Sequence, residues 1–120
     1  MDTQTKPDLL ALKHALRDFV AERDWQQFHT PKNLASALSV EAAELLEPFQ
    51  WLQQGHPTEL GERGLQAVRH ELADVLNYLV MLADRLDIDL VDAAFDKMKL
   101  NAVKYPVEKS RGTLKKYDQL

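Results

Sequence analysis

The 120-residue sequence contains no cysteine. Disulfides, thiolate nucleophiles and cysteine-based zinc sites are therefore excluded together. Stability has to come from an apolar core, and a chain of this length buries roughly two-thirds of its unfolded surface. No apolar run approaches the ~18 residues of a membrane-crossing helix. Met1 to Asp8 is polar and lacks the apolar stretch of a signal peptide. These absences imply a soluble, cytoplasmic protein. Positive charge is also scarce: 15 Lys and Arg against 19 Asp and Glu leave a net charge of −4. That balance argues against a sequence-independent grip on DNA or RNA polymers, which relies on basic surface. It does not argue against a small phosphorylated substrate, provided that divalent ions stand between its oxygens and the protein's acids. There is no internal repeat, no low-complexity tract and no sustained strand alternation, so the expectation is a single all-α domain over residues 1–120, folded as a four-helix bundle.

Four helical segments can be read from apolar spacing. The first runs from about Asp8 to Asp24, with Leu9, Leu12, Leu16, Phe19 and Val20 in register and Asp8 as N-cap. Trp25 to Thr30 is an aromatic and polar connector. Thr30 and Pro31 open the second helix as cap and first residue, and Leu34, Leu38, Ala42, Leu45 and Phe49 form its apolar stripe. Pro48 should kink or end it, and Gly55-His56-Pro57 is a break. The third helix begins between Thr58 and Gly64. With Leu65, Val68, Leu72, Val75, Leu76, Leu79, Leu82 and Leu86 it is the most apolar and should be central. Asp89 caps the fourth, whose Val91, Ala94, Phe95, Met98 and Ala102 are expected to face inward, and Tyr105-Pro106 stops it. Residues 107–120 show little periodicity and carry Lys109, Arg111, Lys115 and Lys116; they read as a flexible basic tail.

Two short segments carry chemistry. Glu41-Ala-Ala-Glu44 and Glu71-Leu-Ala-Asp74 each project two carboxylates from one helix face. Like charges at that spacing repel by a few tenths of a kcal/mol or so. A solvated helix face would explain either pair alone. Both pairs, however, sit in apolar surroundings, where carboxylates are usually paired or hold a metal. An all-oxygen set suits Mg²⁺, or Mn²⁺ in its place, better than zinc or copper. A di-iron bundle would need Glu-x-x-His pairs, and the sequence has none. On the fourth helix Lys97, Asn101 and Tyr105 recur every four residues as one polar stripe, able to bind phosphate oxygens by charge and hydrogen bonds. Trp25, His29 and Trp51 bracket the second helix and offer faces on which a nucleobase can stack. Tyr78 follows Asp74 on the same side. The plainer readings are a solvent face for the stripe, core or interface positions for the aromatics, and surface positions for His14, His56 and His70.

The pattern Glu41-x-x-Glu44 followed by Glu71-x-x-Asp74 resembles the signature of the MazG-type all-α nucleoside triphosphate pyrophosphohydrolases. The segments Glu22-Arg-Asp-Trp25-Gln-Gln-Phe28-His29-Thr-Pro31-Lys-Asn33-Leu, Phe49-Gln-Trp51, Asp74-Val-Leu-Asn-Tyr78, Lys97-Met-Lys-Leu-Asn101-Ala-Val-Lys-Tyr105-Pro106 and Ser110-Arg111-Gly112 are similar to the dCTP pyrophosphatase branch, over about Leu16 to Tyr117. The resemblance implies that fold and hydrolysis of a nucleoside triphosphate, dCTP or a modified dCTP, to the monophosphate and pyrophosphate. It implies Mg²⁺ on Glu41, Glu44, Glu71 and Asp74. Metal-assisted displacement at such a site would have Glu41 or Glu44 orient or deprotonate the attacking water. The resemblance places phosphate contacts on Lys97, Asn101 and Tyr105 with Tyr78 nearby, and base recognition on Trp25, His29 and Trp51. Glu47 is a candidate for a place behind the acids. The resemblance also implies a homo-oligomer, dimer or tetramer, in which a neighbour completes the pocket. Pro48 departs from the pattern and bears on the angle of Trp51. The same reaction on dUTP or a non-canonical nucleotide, and a non-catalytic helical oligomerisation module, are the competing readings.

Overall fold

The computed structural model describes residues 6–120; the first five, part of the polar N-terminal segment, lie outside the described residues. All regular structure among the described residues is helical: α1 (Leu9–Glu22), α2 (Pro31–Glu44), α3 (Pro57–Arg85), α4 (Leu90–Lys104) and α5 (Val107–Ser110), with 3-10 turns at Gln26–Phe28 and Tyr117–Gln119. The all-α class and the four expected helices are present. None of the described helices is long and apolar enough to cross a membrane. The chain falls into two compact units, one reaching to Asp87 and the other Ile88–Leu120.

The helix starts follow from the caps. Asp8 Oδ1 accepts from the Ala11 N–H at 2.9 Å, Thr30 Oγ1 from Asn33 at 3.2 Å and Asp89 Oδ1 from Asp92 at 3.0 Å. Each side chain satisfies one of the donors that a helix N-terminus leaves free. In the first unit α1 and α2 both pack against α3, which is central as expected. Val20, Leu34, Val80 and Ala83 are its buried apolar residues, a small core at one end of α3. Further along, α3 leaves Leu65, Leu72 and Leu76 exposed on one side.

Pro48 ends α2 rather than kinking it. The proline has no N–H to give the Glu44 carbonyl, and its ring crowds that carbonyl. The chain tightens instead into i→i−3 bonds: Leu46 to Ala43 at 3.1 Å, Glu47 to Glu44 at 3.0 Å and Phe49 to Leu46 at 2.9 Å. Leu45 and Phe49 therefore lie beyond the helix, and Trp51 is carried on this tight turn. The chain then reverses at Gly55, where φ is +76°. A Cβ there would sit 2.6 Å from Phe49 Cδ1, so both backbone and space require glycine. Gly55→Ala is expected to cost about 2 kcal/mol of stability, seen as a lower urea midpoint at unchanged m-value. α3 opens with Pro57, ahead of the expected window, and bends at Gly61, which has φ +66° and ψ −178°. Its third residue, Glu59, closes the preceding loop: its carboxylate accepts from the N–H groups of Gln53, Gln54 and Gly55 at 3.0, 3.1 and 3.0 Å.

The second unit holds α4 and the tail. The inward burial expected for α4 is not found. Phe95 and Met98 are 61% and 63% exposed, because one helix followed by a short turn has no second apolar face of its own to pack on. The tail has more structure than its lack of periodicity predicts. Pro106 fixes its own φ and supplies the N-cap of α5. Further on, the Tyr117 ring stands edge-on to Tyr105, centroids 6.2 Å apart, with Lys104 Nζ 5.0 Å from the Tyr117 centroid.

Candidate metal centre and nucleotide site

Three of the four predicted acids converge. Glu41 and Glu44 stand in the last turn of α2 and Glu71 comes opposite from α3, so that one carboxylate oxygen of each lies within 4.8 Å of the others. Oε2 of Glu41 and Oε2 of Glu71 are buried and have no hydrogen-bond partner. Two ionised carboxylates cannot satisfy one another, since both only accept. The strain appears in the titration of Glu41, pushed up to about 7 by the Glu71 carboxyl beside it, by burial, and by Glu44. No basic residue offsets the acids in the last turn of α2, and the helix dipole there is itself negative. A shared proton or a bound cation relieves all of this. Three hard oxygen donors without nitrogen or sulfur fit a hard divalent cation. Asp74 is exposed and stands outside the trio, one turn along α3 from Glu71.

The aromatic set is brought together only in part. Trp25 and His29 flank the 3-10 turn Gln26–Phe28 with ring centroids 6.2 Å apart, and Phe19 meets the Trp25 ring edge-on at 5.9 Å. Trp51 is 87% exposed. Tyr78 is half-buried on α3, one turn after Asp74. Glu47 is exposed, its N–H donating to the Glu44 carbonyl at 3.0 Å. A cavity of about 470 Å³ opens in the first unit, lined by Leu16, Val20, Leu34 and Val80 together with His29 and Asp84. In the second unit Lys97, Asn101 and Tyr105 are exposed along α4, and the Tyr105 N–H donates to the Asn101 carbonyl at 2.8 Å where the helix ends. Of the remaining histidines, His56 precedes Pro57 as the N-cap residue of α3 and pairs with Gln54 at 3.0 Å, while His70 pairs with Gln66 at 2.9 Å.

Four further residues, Glu59, Arg17, Asp84 and Arg85, organise the loops of this unit. Glu59 had a legible signal: an acid two places after a proline that opens a helix is poised to collect free N–H groups. Arg17, Asp84 and Arg85 had none, because their partners lie 56 to 67 positions away.

The MazG-like family profile matches residues 36–120, which include all four acids and the α4 stripe. The chain belongs to the MazG-like family. Among curated relatives, dCTP pyrophosphatase 1 of Homo sapiens is 44% identical over 117 residues, covering 96% of this chain and 69% of the human protein. The Bos taurus protein of the same name is 43% identical over 118 residues, covering 97% and 70%. Among solved structures, a pyrophosphatase from Archaeoglobus fulgidus superposes with a TM-score of 0.77 at 41% identity, covering 88% of this chain and 99% of its own. The profile begins beyond the Trp25–His29 loop, whereas the match to the human protein takes in nearly the whole chain.

Proposed function

We propose that this MazG-like chain hydrolyses dCTP or a modified dCTP to the monophosphate and pyrophosphate, with Mg²⁺ held by Glu41, Glu44, Glu71 and Asp74. The carboxylate trio carries the reading, because its two buried oxygens without partners need a shared proton or a cation between them, and three hard oxygen donors fit a divalent cation. The likeness to dCTP pyrophosphatase 1 over almost the full chain supports the choice of base.

A bound Mg²⁺ supplies charge neutralisation for the triphosphate and for the departing pyrophosphate. The chain's own groups do the rest. Glu41 or Glu44 orients a water and takes its proton as the water oxygen bonds to the α-phosphorus and the α–β bridging bond breaks. Lys97, Asn101 and Tyr105 offer an ammonium, an amide and a phenol to the phosphate oxygens, and Tyr78 offers a second phenol. Trp25 and His29 present a paired aromatic surface to the base, and the exposed Trp51 offers a further face for stacking. Self-association is part of the same reading: the open stripe of Leu65, Leu72 and Leu76 on α3 and the uncovered Phe95 and Met98 on α4 supply apolar surface for a dimer or tetramer.

Incubation with dCTP and Mg²⁺ should yield dCMP and pyrophosphate in equal amounts. Orthophosphate as the sole product, or no turnover of any nucleoside triphosphate, sinks the proposal. Faster turnover of dUTP or a purine nucleotide keeps the reaction and changes the base.

A further inference from the structure

The first unit spends its long-range polar contacts in one place. Asp84 and Arg85 are consecutive residues at the C-terminal end of α3. Asp84 accepts from both Nε and Nη2 of Arg17 on α1, at 2.7 and 2.6 Å. Arg85 Nε donates to the backbone carbonyl of His29 at 3.0 Å. Every other side-chain hydrogen bond among the described residues joins groups no more than six positions apart. A fork-on-carboxylate pair and a charge-assisted bond to a carbonyl are among the stronger contacts a surface can make.

The Arg85 bond holds the His29 end of the connector from Trp25 to His29. This loop is not fixed by burial, since Trp25 and Phe28 are 42% and 60% exposed. It is fixed by its backbone. The Trp25 N–H donates to the Val20 carbonyl at 3.1 Å at the end of α1. Asn33 Nδ2 of α2 donates to the Phe28 carbonyl at 2.9 Å. Arg85 then takes the next carbonyl, that of His29, from α3. Consecutive carbonyls are thus gripped from two helices, while the Arg17–Asp84 pair ties α1 to α3 alongside. Among the described residues, the Arg85 bond is the one hydrogen bond between the His29 end of the loop and α3, the helix that carries Glu71 and Asp74.

We propose that Arg85 is a positioning residue for base recognition: together with the Arg17–Asp84 pair it presets the Trp25–His29 aromatic pair before nucleotide arrives. The inference rests on the assignment of the base to that pair. A preset loop spares the bound nucleotide the ordering of its own subsite, so a loosened loop lowers the competent fraction and weakens apparent binding in proportion. The acids and the phosphate stripe are untouched, so the chemical step should hold its rate.

The experiment uses the full chain with Arg85→Ala and Arg85→Lys. In Arg85→Ala, KM for dCTP should rise about tenfold while kcat stays near wild type. The inhibition constant of pyrophosphate, which has no base, should not move. Arg85→Lys, able to give one hydrogen bond to the carbonyl, should recover part of the KM. An unchanged KM overturns the proposal. So does a KM and a pyrophosphate constant rising together, because the residue would then act on the whole site. Amide exchange over residues 26–29 decides the brace independently of turnover: faster exchange in Arg85→Ala supports it and an unchanged rate overturns it. A wild-type protein inert toward every triphosphate would instead sink the proposed function, with the exchange result still standing on the brace.

Discussion

Glu71→Gln should lower turnover of the triphosphate by about 10²–10³-fold, since one charged oxygen ligand is lost from the converging trio. The same substitution should raise the melting temperature of the metal-free protein. Glutamine keeps the shape of glutamate, removes one of three crowded negative charges, and brings an amide that can donate to a Glu41 oxygen now without a partner. Opposite signs in activity and in metal-free stability are the signature of acids kept together for a ligand. An acid merely exposed to solvent would give a small change in both. The measurements are initial rates at saturating Mg²⁺ and a thermal melt in chelator; unchanged turnover would remove Glu71 from the site.

Chelation should abolish turnover and expose an unusual pH dependence of stability. The Glu41 carboxyl is held at about 7 in the folded protein against an ordinary value of 4.5. Between those values the folded state binds more protons than the unfolded one, so metal-free stability should fall as pH rises from about 5 to 8. Glu59, held down first by the Gln53 N–H, and Asp84, held down first by Arg17, act with the opposite sign. Their contributions are lost only as pH falls below the ordinary carboxylate range, outside this window. Mg²⁺ requires the acids ionised, so its stabilisation should grow over the same interval, reaching ~2.7 kcal/mol at a hundredfold excess over Kd. Melts in chelator and in Mg²⁺ at several pH values should therefore diverge as pH increases. Parallel curves would show that metal binding is not linked to protonation of the trio, and coincident curves that no metal binds there.

The four main helices, their caps and the three acids that meet were legible because each depends on local chemistry. Asp8, Thr30 and Asp89 signal a helix start within three residues, and the Glu41 and Glu44 spacing fixes a shared face whatever the helix packs against. The features that escaped depend on distance. Nothing near Asp84 announces Arg17, and nothing near Arg85 announces the His29 carbonyl. The inward face expected for α4 was a reading of periodicity, which identifies an apolar stripe but not what covers it. The length of α2 was misjudged for a different reason. Its apolar spacing runs on through Leu45 and Phe49, but Pro48 denies the helix a hydrogen bond and the turn tightens four residues earlier.

That early stop separates two kinds of inheritance. Glu44 is the last residue of α2, and Trp51 belongs to the tight turn beyond it. Trp25 and His29 belong to another connector, held by bonds that involve none of the acids. Substitutions that reshape the aromatic surface need not disturb the carboxylates, and a lineage carrying this chain could drift from one nucleobase to another while its hydrolytic chemistry stays in place.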